Sequence, residues 1–166
     1  MNRVSGCVWL VVMLALPLRA DPSLMVSGGK GDDAERYGIG VGWQQDWREL
    51  AGGRLDLGVD LDGSRWRLGG DHLTQLSVVP SLVYEGGRRG LRPLAYAGVG
   101  PAWINRSRLG PRNLSSRLQF NSRAGLGMAV GRHSLALEAW HLSNAGLKKP
   151  NDGLTSWGVS YRYRFD

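Results

Sequence analysis

The chain has 166 residues, a formal net charge of +7 and one cysteine, Cys7. That length suits a single domain, and a lone cysteine excludes an internal disulfide framework. Beyond the N-terminal stretch there is no run of roughly eighteen apolar residues, so a transmembrane helix is excluded and a closed sheet is the remaining way to cross a bilayer.

Residues 1–20 read as a secretory signal peptide. Arg3 supplies the positive start, the run from Cys7 to Leu16 is apolar but too short to span, and Ala20 offers a small residue for cleavage before Asp21. The domain is then 21–166, and 166 less 20 leaves 146 residues. Loss of Arg3 and Arg19 takes the charge from +7 to +5. Outside the cytoplasm, this basic balance favours anionic lipid over nucleic acid as a partner.

The composition, with 25 glycines, seven tryptophans and five tyrosines, suits short alternating strands with aromatic girdles. In chain order, strands are expected at 22–28, 35–48, 54–62, 72–84, 91–104, 116–130, 133–143 and 155–165. In the second, Tyr37, Ile39, Val41 and Trp43 oppose Arg36, Gly38, Gly40, Gly42 and Gln44. In the third, Leu55, Leu57, Val59 and Leu61 oppose Asp56, Asp60 and Asp62. An apolar face toward lipid and a small or charged face toward a lumen is the signature of an all-β, eight-stranded antiparallel transmembrane β-barrel. In the fifth, Leu94 and Tyr96 compete with Ala95, Ala97 and Val99 for the outer face. In the last, Arg162 and Arg164 face inward and need carboxylates, for which Asp56, Asp60, Asp62 and Glu138 are the candidates.

The links at 49–53, 85–90 and 131–132 are short, and those at 29–34, 63–71, 105–115 and 144–154 are longer. Short periplasmic turns and longer extracellular loops then place both termini in the periplasm. Trp43, Trp47, Trp103, Trp157 and Tyr163 read as interfacial anchors.

The seventh segment carries chemistry. Leu135, Leu137, Ala139, His141 and Ser143 share its lipid-facing side. Residues two apart on a strand lie roughly 7 Å apart and project together, which brings the imidazole within reach of the hydroxyl. On spacing alone such a pair is more often an interfacial polar patch than a nucleophile and its base. An esterase acting on a membrane lipid, however, needs its nucleophile beside the acyl chains.

The stretch His141-Leu142-Ser143-Asn144-Ala145-Gly146-Leu147, followed by Lys148-Lys149-Pro150-Asn151-Asp152-Gly153, resembles the signature of the PagL family of outer-membrane lipid A 3-O-deacylases. The resemblance implies a serine esterase that hydrolyses the ester-linked 3-hydroxyacyl chain at position 3 of lipid A. By position, Ser143 is the implied nucleophile, His141 the general base and Asn144 the residue that helps hold the oxyanion. The family's third member, a glutamate, falls where this chain has Thr155. Glu138 points the wrong way to replace it. Asp152 as a surrogate acid, orientation by Thr155 or a water, and a weakened or inactive enzyme all stay open.

Lys148, Lys149, Arg106, Arg108 and Arg112 form a basic outer rim suited to lipid phosphates in lipopolysaccharide. No cofactor or metal is implied: His72, His133 and His141 are too dispersed to share an ion. Gly38, Gly40 and Gly42 read as lumen packing rather than a nucleotide loop, and no Gly-x-Ser-x-Gly elbow occurs. The rival reading is a non-catalytic small outer-membrane barrel, structural or adhesive, that retains the signature loop. Monomer and homodimer are both compatible with the sequence.

Overall fold

A computed structural model describes residues 20–31, 34–87 and 89–165. The expected signal segment therefore lies outside the described residues except for Ala20. Ten strands occur among the described residues: β1 (Asp21–Gly31), β2 (Ala34–Leu50), β3 (Gly53–Leu68), β4 (Asp71–Gly86), β5 (Leu91–Ile104), β6 (Arg108–Leu109), β7 (Arg112–Asn113), β8 (Leu118–Val130), β9 (His133–Ser143) and β10 (Leu154–Arg164). The eight long strands close into an antiparallel barrel in the order β1-β10-β9-β8-β5-β4-β3-β2, and β6 and β7 form a small separate hairpin. Closure leaves no open edge among them, which is what a sheet in hydrocarbon requires.

Alternation sets the wall as expected on β2, where Tyr37, Ile39 and Val41 are exposed and Arg36, Gly40 and Gly42 are buried. A Cβ at Gly42 would run into the side chains of Asp60 and Arg162, so its lack of a side chain makes room for an ion pair. On β5 the competition resolves with Leu94 and Tyr96 inside and Ala97 and Val99 outside. The Tyr96 hydroxyl decides this: it donates to Glu138 Oε2 at 2.7 Å and lies 2.8 Å from Ser160 Oγ.

The middle of the lumen is a charged plug. Arg162 pairs with Asp60 at 2.7 Å, and Arg123 bonds the same carboxylate at 2.7 Å. Arg36 pairs with Asp62 at 2.8 Å. Arg164 meets Glu85 at 3.0 Å, a partner absent from the expected set. Glu85 is on β4, and only the closed barrel brings it across to β10.

Two of the four longer connections are corrected. The 63–71 loop is a continuation of β3 and β4 to a turn at Gly69 and Gly70, and β1 runs on to Gly31 within the expected 29–34 loop. The alternation there is inverted, with Trp66 and Leu73 buried and Arg65, Arg67 and Thr74 exposed. The same parity stays inward along β3, from Asp60 and Asp62 to Ser64 and Trp66, but a strand that rises past the lipid into water turns polar side chains outward, so the apolar-outward rule stops describing it. Inside this end, Trp66, Leu73, Ile104, Leu109, Leu114 and Trp140 pack into an apolar cap over the charged layer. Arg36 marks the boundary, with its guanidinium 4.5 Å from the Trp140 ring.

Candidate active site

The outer wall carries the site at the end of the barrel where the long loops lie. The register places Ser122 of β8 opposite His141 of β9, and His141 opposite Thr155 of β10. Ser143 lies two residues further along β9, opposite Phe120. His141 Nδ1 and Thr155 Oγ1 are 3.0 Å apart. In the tautomer that general-base chemistry needs, Nδ1–H donates to the threonine and leaves the Nε2 lone pair available. Among the described residues no hydrogen bond joins Ser143 to His141, and such contacts commonly tighten only when substrate binds.

The signature loop is folded by its own polar side chains. Leu147 N–H donates to Asn144 O at 3.1 Å, and Ala145 and Gly146 both have positive φ, 54° and 78°, as a type I′ turn requires. Asn144 is fully buried. Its side-chain amide donates to Leu114 O at 2.9 Å and to Lys148 O at 2.8 Å, while its backbone N–H donates to Asn151 Oδ1 at 3.1 Å. Both amide hydrogens are therefore engaged, one by the 144–153 loop and one by Leu114 just after β7. An oxyanion role for Asn144 would need one of these donors to turn from its carbonyl to the substrate oxygen.

Asp152 is likewise engaged away from the imidazole. Its carboxylate accepts from Asn113 N–H at 2.6 Å, and its own N–H donates to Asn113 O at 3.2 Å. These two bonds form a clasp between the 144–153 loop and the β6–β7 hairpin. Glu138 lies in the lumen beside Tyr96 and Arg123, as its parity requires. Gly153, at φ 62°, closes over the ring: a Cβ there would come 3.2 Å from His141 Cε1.

Among the rim cations, Arg106, Arg108, Lys148 and Lys149 are exposed and Arg112 is half-buried. The Asn113–Asp152 clasp gathers their two loops at the same end as Ser143. The sequence reading missed Asn113 and Leu114, which lie 39 and 30 residues before their partners and carry no local signal. It also missed Ser122, which only the β8–β9 register sets beside the imidazole. Asn151 and Gly153 stood inside the quoted signature without a stated role.

Fold and site together define a class: a transmembrane β-barrel that carries a serine and a histidine side by side on its lipid-facing wall. Known proteins narrow that class. The profile of the PagL family, lipid A 3-O-deacylase, matches residues 35–164. A lipid A deacylase PagL of Pseudomonas aeruginosa is 36% identical over 157 residues, covering 91% of this chain and 90% of the relative. One from Bordetella bronchiseptica is 30% identical over 145 residues, covering 82% and 80%. The crystal structure of the outer membrane enzyme PagL superposes with a TM-score of 0.77 at 34% identity, covering 88% of this chain and 100% of that one. The chain belongs to the PagL family.

Proposed function

We propose that the protein is an outer-membrane lipid A 3-O-deacylase in which Ser143 is the nucleophile and His141 its base. The observation that carries this reading is the His141–Thr155 hydrogen bond on the lipid-facing wall, with Ser143 on the same face. Ser143 Oγ attacks the ester carbonyl while its proton passes to His141 Nε2. The tetrahedral intermediate collapses, the sugar oxygen leaves with that proton, and the 3-hydroxyacyl group stays on Ser143. Water, deprotonated by His141, then releases the free fatty acid.

Thr155 acts as a positioning residue. It fixes the ring's tautomer and orientation, which is part of what a triad carboxylate does, but it brings no negative charge to the imidazolium. Asn144 shapes the loop that presents Ser143. The basic rim suits the phosphates of the lipid headgroup, whose negative charge a cluster of Lys and Arg side chains attracts. Export by a signal at residues 1–20, with the loop end at the cell surface, brings the site to the outer leaflet.

The test is mass spectrometry of lipid A from cells that express the wild type or Ser143→Ala. The wild type yields lipid A lacking one 3-hydroxyacyl chain, and Ser143→Ala yields unmodified lipid A. Unmodified lipid A from both, with each barrel folded in the membrane, would favour the non-catalytic barrel.

A further inference from the structure

The wall opposite the candidate site carries a second polar band. In the closed order β3 stands four strands from β9 in either direction, by way of β8, β5 and β4 or of β10, β1 and β2. Near the long-loop end, β2, β3, β4 and β5 share an outward row in which Ile39 pairs with Gly63, Gly63 with Leu76 and Leu76 with Trp103. Two residues nearer the loops the row reads Tyr37, Arg65 and Thr74, and beyond it Glu35, Arg67 and His72. Trp103 and Tyr37, 47% and 54% exposed, mark the step at which hydrocarbon gives way to headgroups.

Arg65 and Arg67 are both exposed, and residues two apart on a strand project together, roughly 7 Å apart. Among the described residues neither guanidinium makes an ion pair or hydrogen bond. Glu35, across from Arg67, accepts instead from the Tyr37 hydroxyl at 3.3 Å. Paired guanidinium groups suit phosphate, whose oxygens accept from several N–H donors at once. Directly below Arg65 the apolar row has a gap at Gly63, where a Cβ would meet only Leu76 Cδ2 at 3.6 Å and Ile39 O at 3.8 Å. The gap belongs to an apolar depression of about 450 Å³ that Leu61, Leu76 and Trp103 also line, and neither Ser143 nor His141 lines it. Two cations above a hydrocarbon slot match the profile of a phosphorylated lipid whose chain points down the wall.

We propose that Arg65, Arg67 and the Gly63 slot form a second lipopolysaccharide site, which holds a lipid A phosphate on the two guanidinium groups and one acyl chain over Gly63. The lipid is bound there and not cleaved, because Ser143 faces the other side of the barrel. The proposal rests on the reading that the long-loop end lies at the cell surface, where lipopolysaccharide forms the outer leaflet. It does not depend on turnover at Ser143.

The experiment uses the full-length barrel with Ser143→Ala, so that the probe persists, and counts bound bis-phosphorylated lipid A by native mass spectrometry from detergent micelles. Arg65→Gln/Arg67→Gln should remove one bound molecule, its affinity falling about tenfold or more, the scale of a lost charge-assisted hydrogen bond. Gly63→Leu fills the slot, keeps both arginines and should weaken the same molecule. Arg48→Gln/Arg89→Gln removes as much charge at the other end of the barrel and should leave the count unchanged. An unchanged count in the band variants overturns the site, as does an equal loss with Arg48→Gln/Arg89→Gln, which would make net charge the cause. Equal binding of phosphatidylglycerol, lost with the same variants, would make the band a site for any anionic lipid and overturn the assignment to lipopolysaccharide. A barrel that loses one lipid A with the arginines yet never cleaves lipid A with Ser143 in place sinks the deacylase reading and keeps this site.

Discussion

At the scale of single residues, Thr155 decides how fast the site can work. Its hydroxyl meets His141 Nδ1 at 3.0 Å, so among the described residues the ring is aimed by a hydroxyl. Replacing a triad carboxylate by a neutral group in another serine hydrolase lowers kcat by about 10⁴. Much of that loss comes from the wrong tautomer, which a threonine oxygen accepting from Nδ1–H avoids. Thr155→Glu is accordingly expected to raise kcat by about ten- to a hundredfold, the part that charge contributes, measured as 3-hydroxy fatty acid released from purified lipopolysaccharide. An unchanged or lower rate in a folded variant would mean that charge on this side of the ring does not limit the reaction. The alternation on the last strand already put Thr155 on the lipid-facing side, and the β9–β10 register then sets it opposite His141.

At the scale of elements, the 144–153 loop and the β6–β7 hairpin act as one unit through the two hydrogen bonds between Asp152 and Asn113. Asp152→Asn keeps a side-chain oxygen to accept from Asn113 N–H, whereas Asp152→Ala removes it. Activity should therefore survive the first change largely intact and fall severalfold with the second, as the loop that presents Ser143 loosens; limited proteolysis of the loop should report the same order. A loss of activity in Asp152→Asn as deep as in Ser143→Ala would return Asp152 to the role of acid. The elements themselves were unevenly legible. Segments 91–104 and 133–143 have the bounds the alternation predicts, because their outer faces are apolar or small almost throughout. The 63–71 stretch read as a loop, yet it is strand up to the turn at Gly69 and Gly70, with Arg65 and Arg67 facing outward on the side that is apolar lower down.

At the scale of the whole molecule, the lumen holds the barrel together. Asp60 bridges Arg123 and Arg162, and its side chain is almost fully buried. Breaking a buried pair by removing one partner typically costs about 3–5 kcal/mol, because the surviving charge is left uncompensated. Asp60→Leu, which takes from Arg162 its carboxylate and leaves Arg123 with Glu138, should lower stability by about 3–5 kcal/mol, read from equilibrium urea unfolding in lipid vesicles. A loss below about 1 kcal/mol would show that water hydrates these guanidinium groups as well as the carboxylate does. Because the mutated residue is remote from Ser143, turnover per folded barrel should stay near the wild-type value.

The sequence by itself determined that the chain is a barrel, which side of most strands meets lipid, and that Ser143 and His141 share one face of one strand. Those properties follow from a two-residue period and from one contiguous signature, both local along the chain. Which carboxylate each lumen arginine takes, the Asn113–Asp152 clasp and the anchoring of Asn144 by Leu114 and Lys148 were decided only by the tertiary structure. Each depends on the register between strands far apart in sequence. Register is set by closure and packing summed over the whole sheet, not by any pattern within one strand.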